Sequence, residues 1–171
     1  MTAENIRSAI EAAASHFAAN PDDAYARDSV ATATLREGLV VQVVGPSGER
    51  LTTDMVQSVG GTGTAPSPGW LLRAAEASCV ATLIAMRAAM LGITLTDLEV
   101  TVDSESDDRG LLGIDDSIPA GPLTGRVQVR LTADGVEAAT LDELARWGVV
   151  HCPVCDALER PVPIKIEVST S

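Results

Sequence analysis

The chain has 171 residues, of which 46% are hydrophobic, and a formal net charge of −12 at pH 7. This length fits one domain of ordinary size. The net negative charge argues against binding to nucleic acids or anionic membrane surfaces, because both attract clustered basic residues, so neither is an expected partner.

The first part of the chain predicts a helix followed by strands. Residues 3–19 carry apolar side chains at helical spacing, and together with a polar connection they form an N-terminal segment over residues 1–28. The main domain is then expected over residues 29–171. It opens with three antiparallel strands in residues 29–56, the first two joined by a turn at 36–38 that contains a glycine.

A long apolar helix is predicted over residues 68–91. Ser67 is a suitable N-cap, Pro68 fits the first helical position, and Gly92 ends the helix. Its length and composition would suit a membrane span, but it contains three charged residues that are costly in lipid: Arg73, Glu76 and Arg87. We therefore expect a helix in the core of the protein and not a membrane-spanning helix.

The remaining elements return to strands and a second helical region. Strands are predicted at 93–103 and 124–133, separated by an acidic, turn-rich stretch in which residues 111–114 are a candidate short strand. Thr140 and Glu143 form a candidate capping box for a helix that runs through Trp147. Alternating apolar residues predict a final strand over 162–169. Strands in antiparallel groups indicate an α+β fold.

Three cysteines carry the candidate chemistry, and their pattern alone leaves three interpretations open. Cys152 and Cys155 could form a CxxC redox pair, although such a motif normally follows a strand in a parallel unit. His151, Cys152 and Cys155 could bind zinc, although a fourth ligand is not obvious. Alternatively, Cys152 could work with Cys79, which lies in the middle of the long helix.

The cysteines and the N-terminus also bear on the compartment. An odd number of cysteines does not suit a secreted disulfide framework. The N-terminus has no basic segment followed by a clean apolar stretch, as a secretory signal would. We therefore expect a reducing, cytoplasmic environment.

Two motifs in combination resemble a known family. The stretch "GGTGTAPSPGWLLRAAEASC" is followed, 73 residues after its cysteine, by "HCPVCDAL" and then by the alternating terminal segment. This arrangement resembles the OsmC/Ohr family of osmotically inducible and organic hydroperoxide resistance proteins, over residues 29 to 169.

The resemblance implies a fold, an assembly and an activity. It implies an intertwined α+β homodimer in which an antiparallel sheet wraps around the long central helices. It also implies a thiol peroxidase for organic hydroperoxides that needs no cofactor or metal and is restored by a dithiol reductant. Cys79 matches the peroxidatic thiol of the family, and Cys152 matches the resolving thiol.

The family also places an arginine from the early strands near the peroxidatic thiol. Arg36 is the best match and Arg50 the second. Many relatives have a glutamate near the start of the long helix, where this chain has Gly69 and Trp70, and Glu76 lies two turns further along. This departure keeps open the alternative of a catalytically silent, binding or structural member of the fold.

The position of the CxxC motif gives an expectation for its two thiols. If a helix begins at Pro153, Cys152 is its N-cap and Cys155 lies in its first turn, so the helix dipole should lower the pKa of both thiols. Peroxide is then expected to produce a Cys79–Cys152 disulfide first, with Cys155 as a spare thiol.

Overall fold

The computed structural model describes residues 2–170, so the outermost residues of the two predicted segments, Met1 and Ser171, lie outside it. The chain divides between Ala75 and Glu76 into two compact units. The boundary falls inside the long helix, and the two units are described in turn.

The first unit begins with helix α1, Ala3–Ala19, which confirms the predicted N-terminal helix. The side chain of Thr2 caps it by accepting a hydrogen bond from the Asn5 N–H at 3.3 Å. None of its residues is buried, and Phe17 is 44% exposed. A short 3-10 turn, Pro21–Ala24, follows it.

Three strands then form an antiparallel sheet in the order β1, β2, β3. Strand β1 is Thr32–Leu35, β2 is Val41–Val44 and β3 is Arg50–Thr53. The predicted turn between β1 and β2 is confirmed, since the Arg36 N–H donates to the Val40 carbonyl at 2.9 Å and Gly38 has a φ of +56°.

A buried carboxylate organises the loop between β3 and the long helix. Asp54 is 1% exposed and accepts hydrogen bonds from the Met55 N–H at 2.7 Å, from the Thr62 N–H at 3.0 Å and from the Thr64 N–H at 3.2 Å. The Thr62 hydroxyl also donates to it, at 2.5 Å. This hydroxyl and the three N–H groups hold the pKa of Asp54 far below its ordinary value, although burial opposes the shift.

We expect Asp54→Asn to lower the melting temperature at pH 7, because an amide cannot accept all of these hydrogen bonds. The ionised Asp54 stabilises the folded chain fully above its unfolded pKa of about 3.9, and this stabilisation is lost as the pH falls towards the lower folded pKa. The difference in melting temperature between wild type and variant should therefore narrow below roughly pH 5. Thr62→Val, which removes one donor, should cost less at pH 7. A difference that stays constant from pH 7 to pH 3 would contradict this role for the carboxylate.

Helix α2, Pro68–Leu91, has the bounds that the sequence predicts. The Trp70 N–H donates to Ser67 Oγ at 3.2 Å, and Gly92 ends the helix with a φ of +71°. Within residues 2–170, α2 alone is long and apolar enough to cross a membrane by those two measures.

The second unit contains a two-stranded antiparallel sheet made of β4, Asp97–Glu105, and β5, Thr124–Thr132. Apolar residues pair across one face, as Val100 does with Val129. Charged residues pair across the other face, where Arg126 donates to Asp103 at 2.7 Å. The alternation predicted for these strands is confirmed.

The core of the second unit lies between this sheet and two helices. Val80 and Ile84 of α2 are fully buried, and they pack with Leu144 of α4, which spans Ala138–Val150. The helices approach closely at Gly148, where an added Cβ would lie 2.4 Å from Ile84 Cγ1. Helix α5, Pro153–Glu159, closes the unit.

Four local predictions were wrong. Helix α4 begins at Ala138, ahead of the predicted capping box at Thr140, with Glu137 as its N-cap. The candidate strand at 111–114 is replaced by helix α3, Asp108–Leu111, and a turn. Strand β4 starts at Asp97, four residues after the predicted start at 93, because Asp97 already pairs with Thr132, the last residue of β5, and Thr96 only donates its N–H to the Thr132 carbonyl at 2.7 Å.

The fourth correction concerns the chain end. Residues 161–170 form neither strand nor helix, and Ile164 and Ile166 are more than four-fifths exposed. A strand requires a neighbouring strand for its backbone hydrogen bonds, and none pairs with this segment within the described chain.

Candidate thiol site

Three cysteine thiols meet in the core of the second unit. Cys79 lies on α2 directly before the fully buried Val80 and is itself partly buried. Cys152 is completely buried and Cys155 is 5% exposed. All three are free thiols that pack in the same cluster, so this part of the chain brings together three groups that the sequence separates by up to 76 positions.

The start of α5 positions two of these sulfurs. Cys152 has an extended backbone conformation and is the N-cap, and Pro153 occupies the first helical position, where no N–H is needed. The Cys152 sulfur accepts a hydrogen bond from the Cys155 N–H at 3.3 Å. The sulfur thus occupies the place of the oxygen in an ordinary serine or threonine cap.

The thiols of Cys79 and Cys152 pack in the same cluster, and their interaction shifts the pKa of Cys79 upward and the pKa of Cys152 downward. Burial opposes ionisation of Cys152, but the hydrogen bond from the Cys155 N–H and the interactions with the neighbouring thiols together hold its pKa below the ordinary value. Burial raises the pKa of Cys79, and its interaction with Cys152 raises it further, whereas a hydrogen bond from the Val154 N–H acts in the opposite direction. Of the two thiols, Cys152 is therefore the one that ionises more readily.

Cys155 points to a carboxylate. Its thiol donates to Glu76 Oε1 with a sulfur–oxygen distance of 3.7 Å. Burial raises the pKa of Cys155 well above its ordinary value, and the neighbouring Cys152 sulfur and Glu76 raise it further. The predicted direction of the pKa shift is found for Cys152, where hydrogen bonds at the start of the helix lower it, and it is wrong for Cys155, because burial, the Cys152 sulfur and Glu76 raise its pKa.

His151 belongs to the end of α4 and not to the thiol cluster. Its Nδ1 donates to the Trp147 carbonyl at 2.8 Å, and its ring stacks on the indole at 4.0 Å with an interplanar angle of 14°. Arg87 covers the indole as well, with its guanidinium carbon 5.0 Å from the ring centre. Nowhere in residues 2–170 do three His, Cys, Asp or Glu side chains form a group suited to a metal ion.

The two candidate arginines lie in the first unit. Arg36 follows β1 at the hairpin turn, is exposed, and hydrogen-bonds to the Gln42 side chain on β2. Arg50 is the first residue of β3 and is exposed, with Val44 as its strand partner.

Two features of the thiol site were not anticipated. The Val154 N–H interacts with the sulfurs of both Cys79 and Cys152. A backbone N–H is present whatever the side chain is, so the residue type at this position does not indicate the contact. Its position directly after a Cys-Pro helix start does indicate it. Glu76 lies two turns beyond the position of the family glutamate, and within the second unit its carboxylate contacts Cys155.

Comparisons with known proteins agree with the motifs. The family model described as OsmC-like protein matches residues 61–167, which is more than half of the chain. Curated proteins give no match. Among solved structures, the organic hydroperoxide resistance protein OsmC from Legionella pneumophila is 22% identical, with a TM-score of 0.55, and the alignment covers 78% of this chain and 90% of that one.

Two further structures show the same fold. The organic hydroperoxide resistance protein OhrB of Bacillus subtilis is 20% identical with a TM-score of 0.51, covering 84% of this chain and 98% of that one. An OsmC-like protein of unknown function from Vibrio cholerae is 10% identical with a TM-score of 0.66, covering 78% and 95%. The antiparallel α+β architecture is thus that of the OsmC/Ohr structures, and the match over residues 61–167 means that this chain belongs to the OsmC-like protein family.

Proposed function

We propose that this protein is a thiol-dependent peroxidase that reduces organic hydroperoxides through Cys79 and Cys152. The observation that carries the proposal is the packing of these two free thiols in one cluster, with Cys79 partly buried on α2 and Cys152 buried at the start of α5. Two cysteines in contact are what a peroxidatic and a resolving thiol require. The structures from Legionella and Bacillus that share the fold are named as organic hydroperoxide resistance proteins.

The resting pair supplies both the nucleophile and the base. The Cys152 thiolate accepts the proton of Cys79, so that Cys79 becomes the thiolate that attacks the terminal oxygen of ROOH. The O–O bond breaks, Cys79 becomes a sulfenic acid, and the alkoxide takes the proton back from Cys152 and leaves as ROH.

The second step forms a disulfide. The Cys152 thiolate attacks the Cys79 sulfenic sulfur, the S–O bond breaks, and hydroxide leaves as water after gaining a proton from solvent. An external dithiol then reduces the disulfide by exchange. No cofactor or metal takes part in these steps, and the need for a reducing dithiol pool fits a cytoplasmic location.

Arg36 is proposed as the cation that favours the Cys79 thiolate during catalysis, with Arg50 as the second candidate. Both are permanently charged, and a cation near a thiol lowers its pKa. Both also lie in residues 29–75, inside the proposed OsmC-like domain of residues 29–171 and outside the N-terminal segment of residues 1–28.

We expect the protein to be a homodimer. The unpaired apolar segment at 161–170 and the exposed faces of α2 leave more apolar surface uncovered than a stable monomer usually carries. Light scattering at micromolar concentration should give twice the chain mass of 17.7 kDa, and the dimer should persist on dilution into the nanomolar range. Removal of residues 161–171 should weaken the dimer, whereas removal of residues 1–20 should leave it intact. A monomeric mass for the intact chain would contradict the proposal.

The resolving role is tested with Cys152→Ser. This variant should oxidise Cys79 once, more slowly than wild type because the Cys152 base is missing, and should then stop because the thiol that forms the disulfide with Cys79 has been removed. Mass spectrometry after one equivalent of cumene hydroperoxide should find a sulfenic acid on Cys79 that reacts with dimedone and, with excess peroxide, sulfinic and sulfonic acids. Val150→Ser, two residues away and exposed, is the matched control and should form the disulfide normally. Sustained turnover by Cys152→Ser at the wild-type rate would refute the role of Cys152.

A further inference from the structure

The CxxC motif contains a third thiol that the peroxidase cycle above does not use. Cys155 is 5% exposed, its backbone N–H lies 3.3 Å from the Cys152 sulfur, and its thiol donates to Glu76. A buried thiol therefore lies between a carboxylate that can receive its proton and a sulfur that becomes part of the catalytic disulfide.

We propose that Cys155 and Glu76 form a disulfide relay that transfers the oxidised state from Cys79–Cys152 to Cys152–Cys155 and returns Cys79 to its thiol form. The relay rests on the proposed peroxidase function for its first disulfide, and it assigns to Glu76 the role of general base.

The step balances without an added reagent. Glu76 takes the proton of Cys155, the resulting thiolate attacks the Cys152 sulfur, and the Cys79–Cys152 bond breaks while the Cys152–Cys155 bond forms. Cys79 leaves as a thiolate and takes up a proton from solvent or from Glu76. The number of disulfides and the oxidation state of the chain do not change.

The geometry favours transfer within the motif. Cys152 is the N-cap of α5 and Cys155 the third helical residue, and side chains three apart on a helical turn lie about 5–6 Å apart at Cβ, close to the range that a disulfide bridges.

The environment of Cys155 also sets the order of events. Part of what keeps Cys155 protonated is the charge and hydrogen bonding of the Cys152 sulfur. Both influences disappear when Cys152 enters a disulfide, and Glu76 remains in place to accept the proton. Cys155 is thus a poor nucleophile in the reduced protein and a better one after Cys152 has been oxidised.

A peroxide titration without reductant tests the relay. The wild-type chain should consume two equivalents of cumene hydroperoxide, one for the disulfide and one for the regenerated Cys79, which dimedone then traps as a sulfenic acid. Cys155→Ser should consume one equivalent and keep the Cys79–Cys152 disulfide. A wild-type chain that consumes one equivalent and retains an alkylatable Cys155 would overturn the relay while leaving the peroxidase function intact.

The role of Glu76 has its own readout. In samples quenched with an alkylating agent, peptide mapping should show Cys79–Cys152 first and Cys152–Cys155 later. Glu76→Gln should slow this conversion by about tenfold or more at neutral pH, because a positioned base contributes at least that much. Glu159→Gln, at the other end of α5 and exposed, should convert at the wild-type rate. Conversion at an equal rate in Glu76→Gln would remove Glu76 from the relay.

A second oxidant separates the relay from the peroxidase proposal. Diamide oxidises dithiols without an O–O bond, so it forms the first disulfide even in a protein with no peroxidase activity. Conversion after diamide together with no reaction with hydroperoxides would refute the peroxidase function and support the relay. Formation of Cys152–Cys155 before any Cys79–Cys152, with either oxidant, would contradict the relay.

Discussion

Cys79→Ser should reduce the steady-state consumption of organic hydroperoxide to the background rate. The loss should be on the order of 10³-fold or more, as is usual when a catalytic nucleophile is removed. A hydroxyl cannot replace the thiolate, because it neither ionises near neutral pH nor forms a sulfenic acid. The measurement is the rate of cumene hydroperoxide loss in the presence of dithiothreitol, which reduces the disulfide directly and restores the two thiols.

A matched control lies on the same helix. Ala85→Ser introduces the same hydroxyl on an exposed position of α2 and should keep wild-type turnover. Both variants should have wild-type melting curves, since serine closely matches cysteine in size. Wild-type turnover in Cys79→Ser would transfer the peroxidatic role to the CxxC pair and overturn the assignment.

Gly148→Ala should destabilise the second unit by about 1–3 kcal/mol, the usual cost of forcing an extra carbon into a packed core. The new Cβ would lie 2.4 Å from Ile84 Cγ1 and 3.2 Å from the Ile84 backbone nitrogen, and Ile84 is fully buried. The side chain has no free space to move into, so α2 and α4 must separate. Urea denaturation followed by circular dichroism measures the loss.

Two controls define this prediction. Gly121→Ala places a Cβ with no atom within 4 Å, and it should change the free energy of unfolding by less than about 0.5 kcal/mol. Ile84→Ala should itself cost about 2–5 kcal/mol, but the double variant should lose less than the sum because the clash is relieved. Strict additivity would show that Gly148 and Ile84 do not compete for the same space.

The bounds of helix α2 and the hairpin between β1 and β2 could be predicted because their sequence signals are local. Ser67, Pro68 and Gly92 fix α2 through capping and backbone geometry, which need no tertiary contact. The alternation in β4 and β5 could be read because one face is buried against the helices. The prediction of a strand in the terminal segment was wrong for the opposite reason. Alternation indicates which side chains would be buried in a strand, but not whether a neighbouring strand exists.

The cysteines of the thiol site could be predicted from the sequence, but the pKa shifts of their thiols could not. Cys79 and Cys152 follow from the two motifs, but which of the two thiols ionises more readily depends on N–H donors contributed by the backbone of α5. The contact between Cys155 and Glu76 joins residues 79 positions apart, and no pattern in either segment indicates it. Asp54 was overlooked because a lone Asp at a strand end is usually a solvated turn residue.

The stacked arrangement of Arg87, Trp147 and His151 has a spectroscopic consequence. The indole of Trp147 contacts a guanidinium and an imidazole, and His151 directly precedes Cys152 in the chain. The only other indole, Trp70, is 51% exposed and belongs to the first unit. In a Trp70→Phe chain, the single remaining indole emits from a ring that stacks on His151, the residue bonded to Cys152 in the chain, so its fluorescence can report a change in the bonding of the Cys152 sulfur without an attached dye.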